Sequence, residues 1–188
     1  MANVNHSTLT DPYLHEPKGI AAAPAGQVYI ADGAGSGDWL EFSRYVNGYV
    51  AFDATTPAYQ HSVTTSFTAL NPTFSISANN GFTGLSSPNA RVRYDGTETI
   101  TASAQFTISF KNNSGTNRDI EILLRKNGSA FNGGHTITTA ASGEWRSITM
   151  VDIGTLSTND YLEVFVKASA AFTLDIASAS LTVTGVPV

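Results

Sequence analysis

Four histidines, His6, His15, His61 and His135, are the first side chains in this 188-residue sequence to weigh for chemistry. A metal site needs several ligands at short, regular spacing. No two of these histidines stand so, and none pairs with Glu or Asp in a helical motif. They read as structural or surface residues. One route stays open: a threefold axis gathers three copies of any one histidine, so His61 or His135 could bind a metal after assembly. The run Gly33-Ala34-Gly35-Ser36-Gly37 has the composition of a phosphate-binding loop. Such a loop must lead from a strand into a helix whose N-terminus meets the phosphates. A strand can precede it, but no helical pattern follows and no Lys-Ser/Thr pair is present, so the run reads as a turn. Serines are common, yet no Gly-x-Ser-x-Gly elbow presents one as a nucleophile. Glycoside hydrolysis needs two carboxylates facing one cleft. Asp119 and Glu121 share a strand face and Asp152 stands elsewhere, with nothing to mark a cleft. The residues thus assign no catalytic, cofactor or metal role, and the expectation is a protein that is not an enzyme.

The elements that carry these residues are strands. Thr99 to Phe110 is the clearest: Ile100, Ala102, Ala104, Phe106, Ile108 and Phe110 share one parity, and Thr101, Ser103, Gln105, Thr107 and Ser109 the other. That period of two marks a half-buried strand. Asp119 to Lys126 follows, with Ile120, Ile122 and Leu124 inward, and Asn127-Gly128 supplies a hairpin turn because both residues tolerate positive φ. His135 to Thr139 and Trp145 to Asp152 are the next strands, separated by a turn at Ala140 to Gly143. Asn159-Asp160 turns the chain into Tyr161 to Lys167. Phe172 to Val183 closes the series, its apolar parity changing from even to odd, which calls for a bulge near Ile176–Ala179. Earlier in the chain, Tyr49 to Phe52, Val63 to Phe67, Thr73 to Ser77 and Arg91 to Tyr94 read as short strands, and Ala78 to Asn89 as a loop. About eight to ten short strands so spaced indicate a sandwich or barrel.

Composition agrees with this reading. Only 13% of residues are charged, about half the ~25% usual in soluble domains, so the polar surface rests on Ser, Thr, Asn and Gly. Hydrophobic residues make up 41%, enough for a core. The net charge of −5 and scattered basic residues disfavour a nucleic-acid partner, which needs a clustered positive surface. No polybasic stretch suggests a membrane surface, and no apolar run reaches the length of a span. With no cysteine, disulfides and thiolate metal sites are excluded. Met1 to Thr10 lacks the charged and apolar regions of a signal peptide. Synthesis in a cytoplasm is the expectation, with exit by assembly or lysis.

The chain divides near residue 47. Pro12, Pro17 and Pro24 break regular structure in residues 1–47, which read as an irregular arm in which Gln27 to Ala31 could form one short strand. Tyr13, Tyr29, Trp39 and Phe42 make this arm too aromatic for a plain linker, so it is expected to dock. Residues 48–188 form the strand domain. Within it, Tyr161 to Val166 is apolar on both faces: Leu162, Val164 and Val166 on one, Tyr161 and Phe165 on the other. Tyr161 and Phe165 therefore face a subunit interface or lie beneath the arm or a loop.

From Tyr94 onward the order of features resembles the tumour-necrosis-factor-like jelly roll. The resemblance rests on Tyr94-Asp95-Gly96 before the strand ending Phe106-Thr107-Ile108-Ser109-Phe110, on Ile122-Leu123-Leu124-Arg125-Lys126-Asn127-Gly128, on Leu156 leading through Asn159-Asp160 to Tyr161-Leu162-Glu163-Val164-Phe165-Val166, and on the closing Ala179-Ser180-Leu181-Thr182-Val183. Asn159 stands where that family's pattern has Gly. The resemblance implies an all-β jelly-roll sandwich and a homotrimer. The segments Leu14-His15-Glu16-Pro17-Lys18-Gly19 and Gly26 to Trp39 resemble the N-terminal part of tailed-bacteriophage capsid decoration and head-fibre proteins. That implies a virion structural protein on the outer surface of the capsid. The arm, through Leu14, His15, Pro17, Tyr29 and Trp39, would bind the major capsid protein. The alternative is a receptor-binding module of a phage tail or fibre whose loop tips recognise a cell-surface glycan. Neither reading calls for a cofactor.

Overall fold

The computed structural model describes residues 27–31, 37–41, 45–53, 58–72, 75–76, 80–85 and 91–188. It divides into two compact units, Met1–Ser43 and Arg44–Val188. In the first, β1 (Gln27–Ala31) and β2 (Gly37–Glu41) form an antiparallel hairpin in which Tyr29 lies opposite Trp39. The expected strand at Gln27–Ala31 is present. Its partner begins inside the stretch read as a turn, so the arm is not irregular throughout. Leu14, His15 and Pro17 lie outside the described residues.

The second unit contains β3 (Val46–Asp53), β4 (Tyr59–Val63), β5 (Thr68–Ala69), β6 (Ser75–Ile76), β7 (Phe82–Leu85), β8 (Arg91–Tyr94), β9 (Ile100–Asn112), β10 (Arg118–Lys126), β11 (Ser129–Ala140), β12 (Trp145–Leu156), β13 (Tyr161–Ala168) and β14 (Phe172–Pro187). They form two antiparallel sheets. One runs β12-β9-β14-β3-β6 with β4 also on β14, and the other β11-β10-β13-β8-β7 with β5 also on β13. The eight principal strands are thus β12-β9-β14-β3 facing β11-β10-β13-β8. Among these eight, the chain crosses between sheets from β3 to β8, β8 to β9, β9 to β10, β11 to β12, β12 to β13 and β13 to β14. The last strand lies beside the first. That order is a jelly roll.

The sequence pattern explains the layering. Along β9 the apolar parity is buried without interruption from Ile100 to Phe110, while the Ser/Thr parity faces out. Ile120, Ile122 and Leu124 meet it from the other sheet, with Leu162, Val164 and Val166 beside them. The parity change in the last strand is resolved by a register shift between Ile176 and Ser178. The single extra residue returns Ala179, Leu181 and Val183 to the core. Asn127 (φ 51°) and Gly128 (φ 82°) make the hairpin between β10 and β11.

Strand β11 departs from simple pairing. Arg125 is opposite Ala130 but Leu123 is opposite His135, so Phe131 to Gly134 bulge away from β10. Phe131 turns inward and is buried. A Cβ at residue 154 would stand 2.6 Å from its ring, which is why β12 carries Gly154 there. Asn132 donates from Nδ2 to the Ile153 carbonyl at 2.7 Å, tying the edges of the two sheets together.

Three early elements differ from the sequence expectation. Val63 to Phe67 is mostly connection, because the strand before it, β4, buries Tyr59, His61 and Val63 to varying depth on one parity despite its polar look. Only Ser75–Ile76 of the expected strand at Thr73 to Ser77 is a described strand. The supposed loop from Ala78 to Asn89 contains β7, held by pairing with β8.

Candidate assembly surface

The two sheets present outer faces of opposite character. On the β11-β10-β13-β8 face, the outward residues of β13 are Tyr161, Glu163, Phe165 and Lys167. Arg91 and Arg125 reach over them from the flanking strands, both opposite Glu163. Arg91 places its guanidinium 4.4 Å from the centre of the Tyr161 ring and donates from Nε to Glu163 at 3.0 Å. Arg125 lies 4.1 Å from the centre of the Phe165 ring. Lys167 sits over Phe67 at 4.6 Å and donates to Glu121 at 2.8 Å. Glu163 is only 2% exposed. The rings that looked like an uncovered apolar face are half-buried under cations of their own chain. Each such stack contributes roughly 0.5–2 kcal/mol.

The β12-β9-β14-β3 face is different. Its residues align in rows across the strands, fixed by register. One row is Thr149, Thr107, Ser180 and Ala51. The next is Val151, Gln105, Thr182 and Tyr49, and the next Ile153, Ser103, Thr184 and Asn47. Thr155, Thr101 and Val186 end the series. None of these four rows carries a charge. Val151 and Ile153 are 58% and 55% exposed, and Tyr45 and Val186 stand open beside them. Around Tyr45, Ile153 and Val186 the surface dips into an apolar depression of about 250 Å³. Hydroxyl pairs Thr107–Thr149 (3.0 Å) and Ser109–Ser147 satisfy one another across the strands. With rows about 6.8 Å apart and strands about 4.8 Å apart, the uncharged zone measures roughly 20 Å by 15 Å. A solvent-facing sheet surface ordinarily carries Lys and Glu, as the other sheet does. This one can approach an identical surface without like-charge repulsion, although the chain carries a net charge of −5. Sequence reasoning missed it because Ser and Thr look solvated. The available signal was the absence of charge on the outward parity of residues 101–107, 149–155 and 180–186, together with Val151 and Ile153 on that parity.

The remaining candidates find local explanations. His61 is buried on β4, 3.3 Å from the Thr68 hydroxyl, which itself donates to the Val166 carbonyl. This contact links the two sheets, and burial holds the imidazole pKa below its ordinary 6.5. His135 is on β11 with Nε2 3.8 Å from Glu121. Asp119 and Glu121 share one face as expected and line an open depression of about 340 Å³ with Lys167 and Ile137. Asp119 is taken up by the Thr139 hydroxyl at 2.6 Å and Glu121 by Lys167. Asp152 is buried against the Gly134 amide. Among the described residues no three His, Asp or Glu side chains gather to hold a metal. Asp160 braces the hairpin turn. It accepts from Asn127 Nδ2 (2.6 Å) and the Ser157 amide (2.8 Å), while Tyr161 N–H donates to Asn127 Oδ1 (3.0 Å). Desolvation pushes the Asp160 carboxyl up, but these bonds and Lys126 outweigh it and hold its pKa below the usual value. In the separate N-terminal unit, Tyr29 and Trp39 meet edge to face at 5.4 Å, and Val28 and Ile30 are exposed on the hairpin's other parity.

No protein-family model matches the chain, and no curated protein matches it. Solved structures similar to it include Eiger TNF from S. frugiperda, with 11% identity over 77% of this chain and 92% of that one and a TM-score of 0.49. The PRD1 vertex protein P5 shows 12% identity over 76% of this chain and 96% of its own, TM-score 0.42. Murine APRIL shows 12% identity over 75% and 98%, TM-score 0.40. The fold assignment stands on the strand order itself: the chain is an all-β jelly-roll sandwich preceded by an N-terminal segment that carries its own hairpin.

Proposed function

We propose that this chain is a non-enzymatic structural protein of a virus particle, a capsid decoration protein whose jelly roll assembles as a homotrimer and whose N-terminal segment binds the major capsid protein on the outer surface of the capsid. The observation that carries the assembly is the uncharged zone of four rows on the outer face of β12-β9-β14-β3, which favours a second copy of this chain over a charged partner. A closed ring of identical subunits would cover Val151 and Ile153 on every copy. The anchoring rests on the resemblance of the N-terminal segment to decoration and head-fibre proteins. It is supported by a hairpin that is apolar on both parities, because an isolated two-stranded hairpin is at best marginally stable and gains by docking. Three linked arms would bind a repeating lattice by avidity even if each contact is weak.

The test is deletion of residues 1–43, which leaves β3 and the assembly-face residues Tyr45 and Asn47 in place. The remaining jelly roll should keep its oligomeric mass and no longer sediment with particles. Undiminished particle binding removes the anchoring role. A second reading, a receptor- or glycan-binding module of a phage tail or fibre, is favoured by one observation, the open indole of Trp145 at the far end of the same sheet.

A further inference from the structure

We propose that the row Trp145, Lys111, Asp175 and Gln60 is a binding site for a neutral oligosaccharide. The inference deepens the second reading, and it needs no contact of the N-terminal segment. Register places these four residues side by side on β12, β9, β14 and β4. At about 4.8 Å between strands the row is roughly 14 Å long, the length of a short oligosaccharide. Trp145 is 50% exposed, an uncommon state for so large an apolar ring. Pyranose rings offer an apolar face of C–H groups to an indole and hydroxyls around their rim to donors and acceptors.

The rim is provided for. Lys111 Nζ lies 5.6 Å from the centre of the Trp145 ring and 3.4 Å from Asp175 Oδ2. Gln60 Nε2 donates to Asp175 Oδ1 at 3.4 Å. Asn113 also bonds this carboxylate and, with Gln60 and Lys111, holds its pKa below the usual value. An ammonium, a carboxylate and an amide are therefore held in place beside one open aromatic platform. The charges of Lys111 and Asp175 cancel, so the site selects a neutral polyol over a sialylated or phosphorylated one. The next row, Ser147, Ser109, Ser178 and Asp53, adds three hydroxyls and one more carboxylate, which further disfavours an acidic ligand. The uncharged rows assigned to self-association begin beyond it, so assembly and ligand binding use different parts of the sheet.

The test uses the full chain on an array of neutral and acidic oligosaccharides, followed by calorimetric titration of the strongest neutral hit. Saturable binding to a neutral oligosaccharide of several rings is expected, weakened about tenfold or more by Trp145→Ala and less by Trp145→Phe, with the oligomeric mass unchanged. Absence of any saturable hit, preference for acidic glycans, or an affinity indifferent to Trp145→Ala overturns the site. So does loss of oligomeric mass in Trp145→Ala, which assigns the indole to self-contact. Particle binding by the N-terminal segment is read separately and is untouched by any of these outcomes.

Discussion

Ile153→Lys is expected to convert the proposed trimer into folded monomers. Ile153 is 55% exposed on the uncharged face. Full burial of an isoleucine side chain is worth roughly 1.5–3 kcal/mol, so about 1 kcal/mol per copy remains to be gained when a neighbour covers it. Lysine forfeits that contact and puts a charge where it must be desolvated or repelled by its own copies, at a cost of at least about 1 kcal/mol more. Over three copies the loss reaches roughly 6 kcal/mol, or about 10,000-fold in the assembly constant. The fold itself is spared, because the side chain points away from the core. The matched control is Ile137→Lys: Ile137 is 56% exposed on β11, on the charged sheet opposite Glu121. Light scattering on a sizing column at micromolar concentrations reads the mass, and circular dichroism reads the fold. The reasoning fails if wild type is already monomeric, or if Ile137→Lys dissociates the assembly while Ile153→Lys leaves it intact.

Three further outcomes follow from the interior. Gly154→Ala drives a methyl into the Phe131 ring, 2.6 Å away; overpacking of this kind costs roughly 1–3 kcal/mol, readable as a lower urea midpoint with an unchanged slope. Asn127→Ala removes the bonds to Asp160 and Tyr161 and forces alanine to φ 51°, so a loss of about 1–3 kcal/mol is expected, with Asn127→Gly retaining part of it. Because His61 has a folded-state pKa below 6.5, the unfolded chain takes up its proton first as pH falls. Stability should therefore decline from about pH 6.5 downward until the folded-state pKa is passed, and His61→Gln should flatten that slope. Asp160 and Asp175 are depressed carboxylates, whose stabilisation is lost only as pH falls below 3.8 through their folded-state values. An undiminished slope between pH 6.5 and 5 in His61→Gln would falsify the assignment.

Most of the strand framework was legible because alternation and turn chemistry are local. The period of two in β9, the Asn127-Gly128 turn and the bulge near Ile176 follow from parity and φ preference alone. Among the strands that escaped, β4 is largely polar and β7 has only four residues, and both are held by pairing with β14 and β8 rather than by their own pattern. The proposed assembly surface was hidden for another reason. Sequence reasoning seeks apolar residues with no place in the core and so singled out Tyr161 and Phe165. Their cover comes from Arg91 and Arg125 on adjacent strands, far away in sequence. The zone that lacks cover is rich in Ser and Thr, and its defining property, four consecutive rows without charge, exists only once the register is known.

The central claim is that this chain decorates a capsid in many copies. It is tested most directly by quantitative mass spectrometry of particles purified from the cells that make it, measured against the major capsid protein. A copy number comparable with the capsid subunit lattice is the result predicted here, while a handful of copies, or none, contradicts decoration.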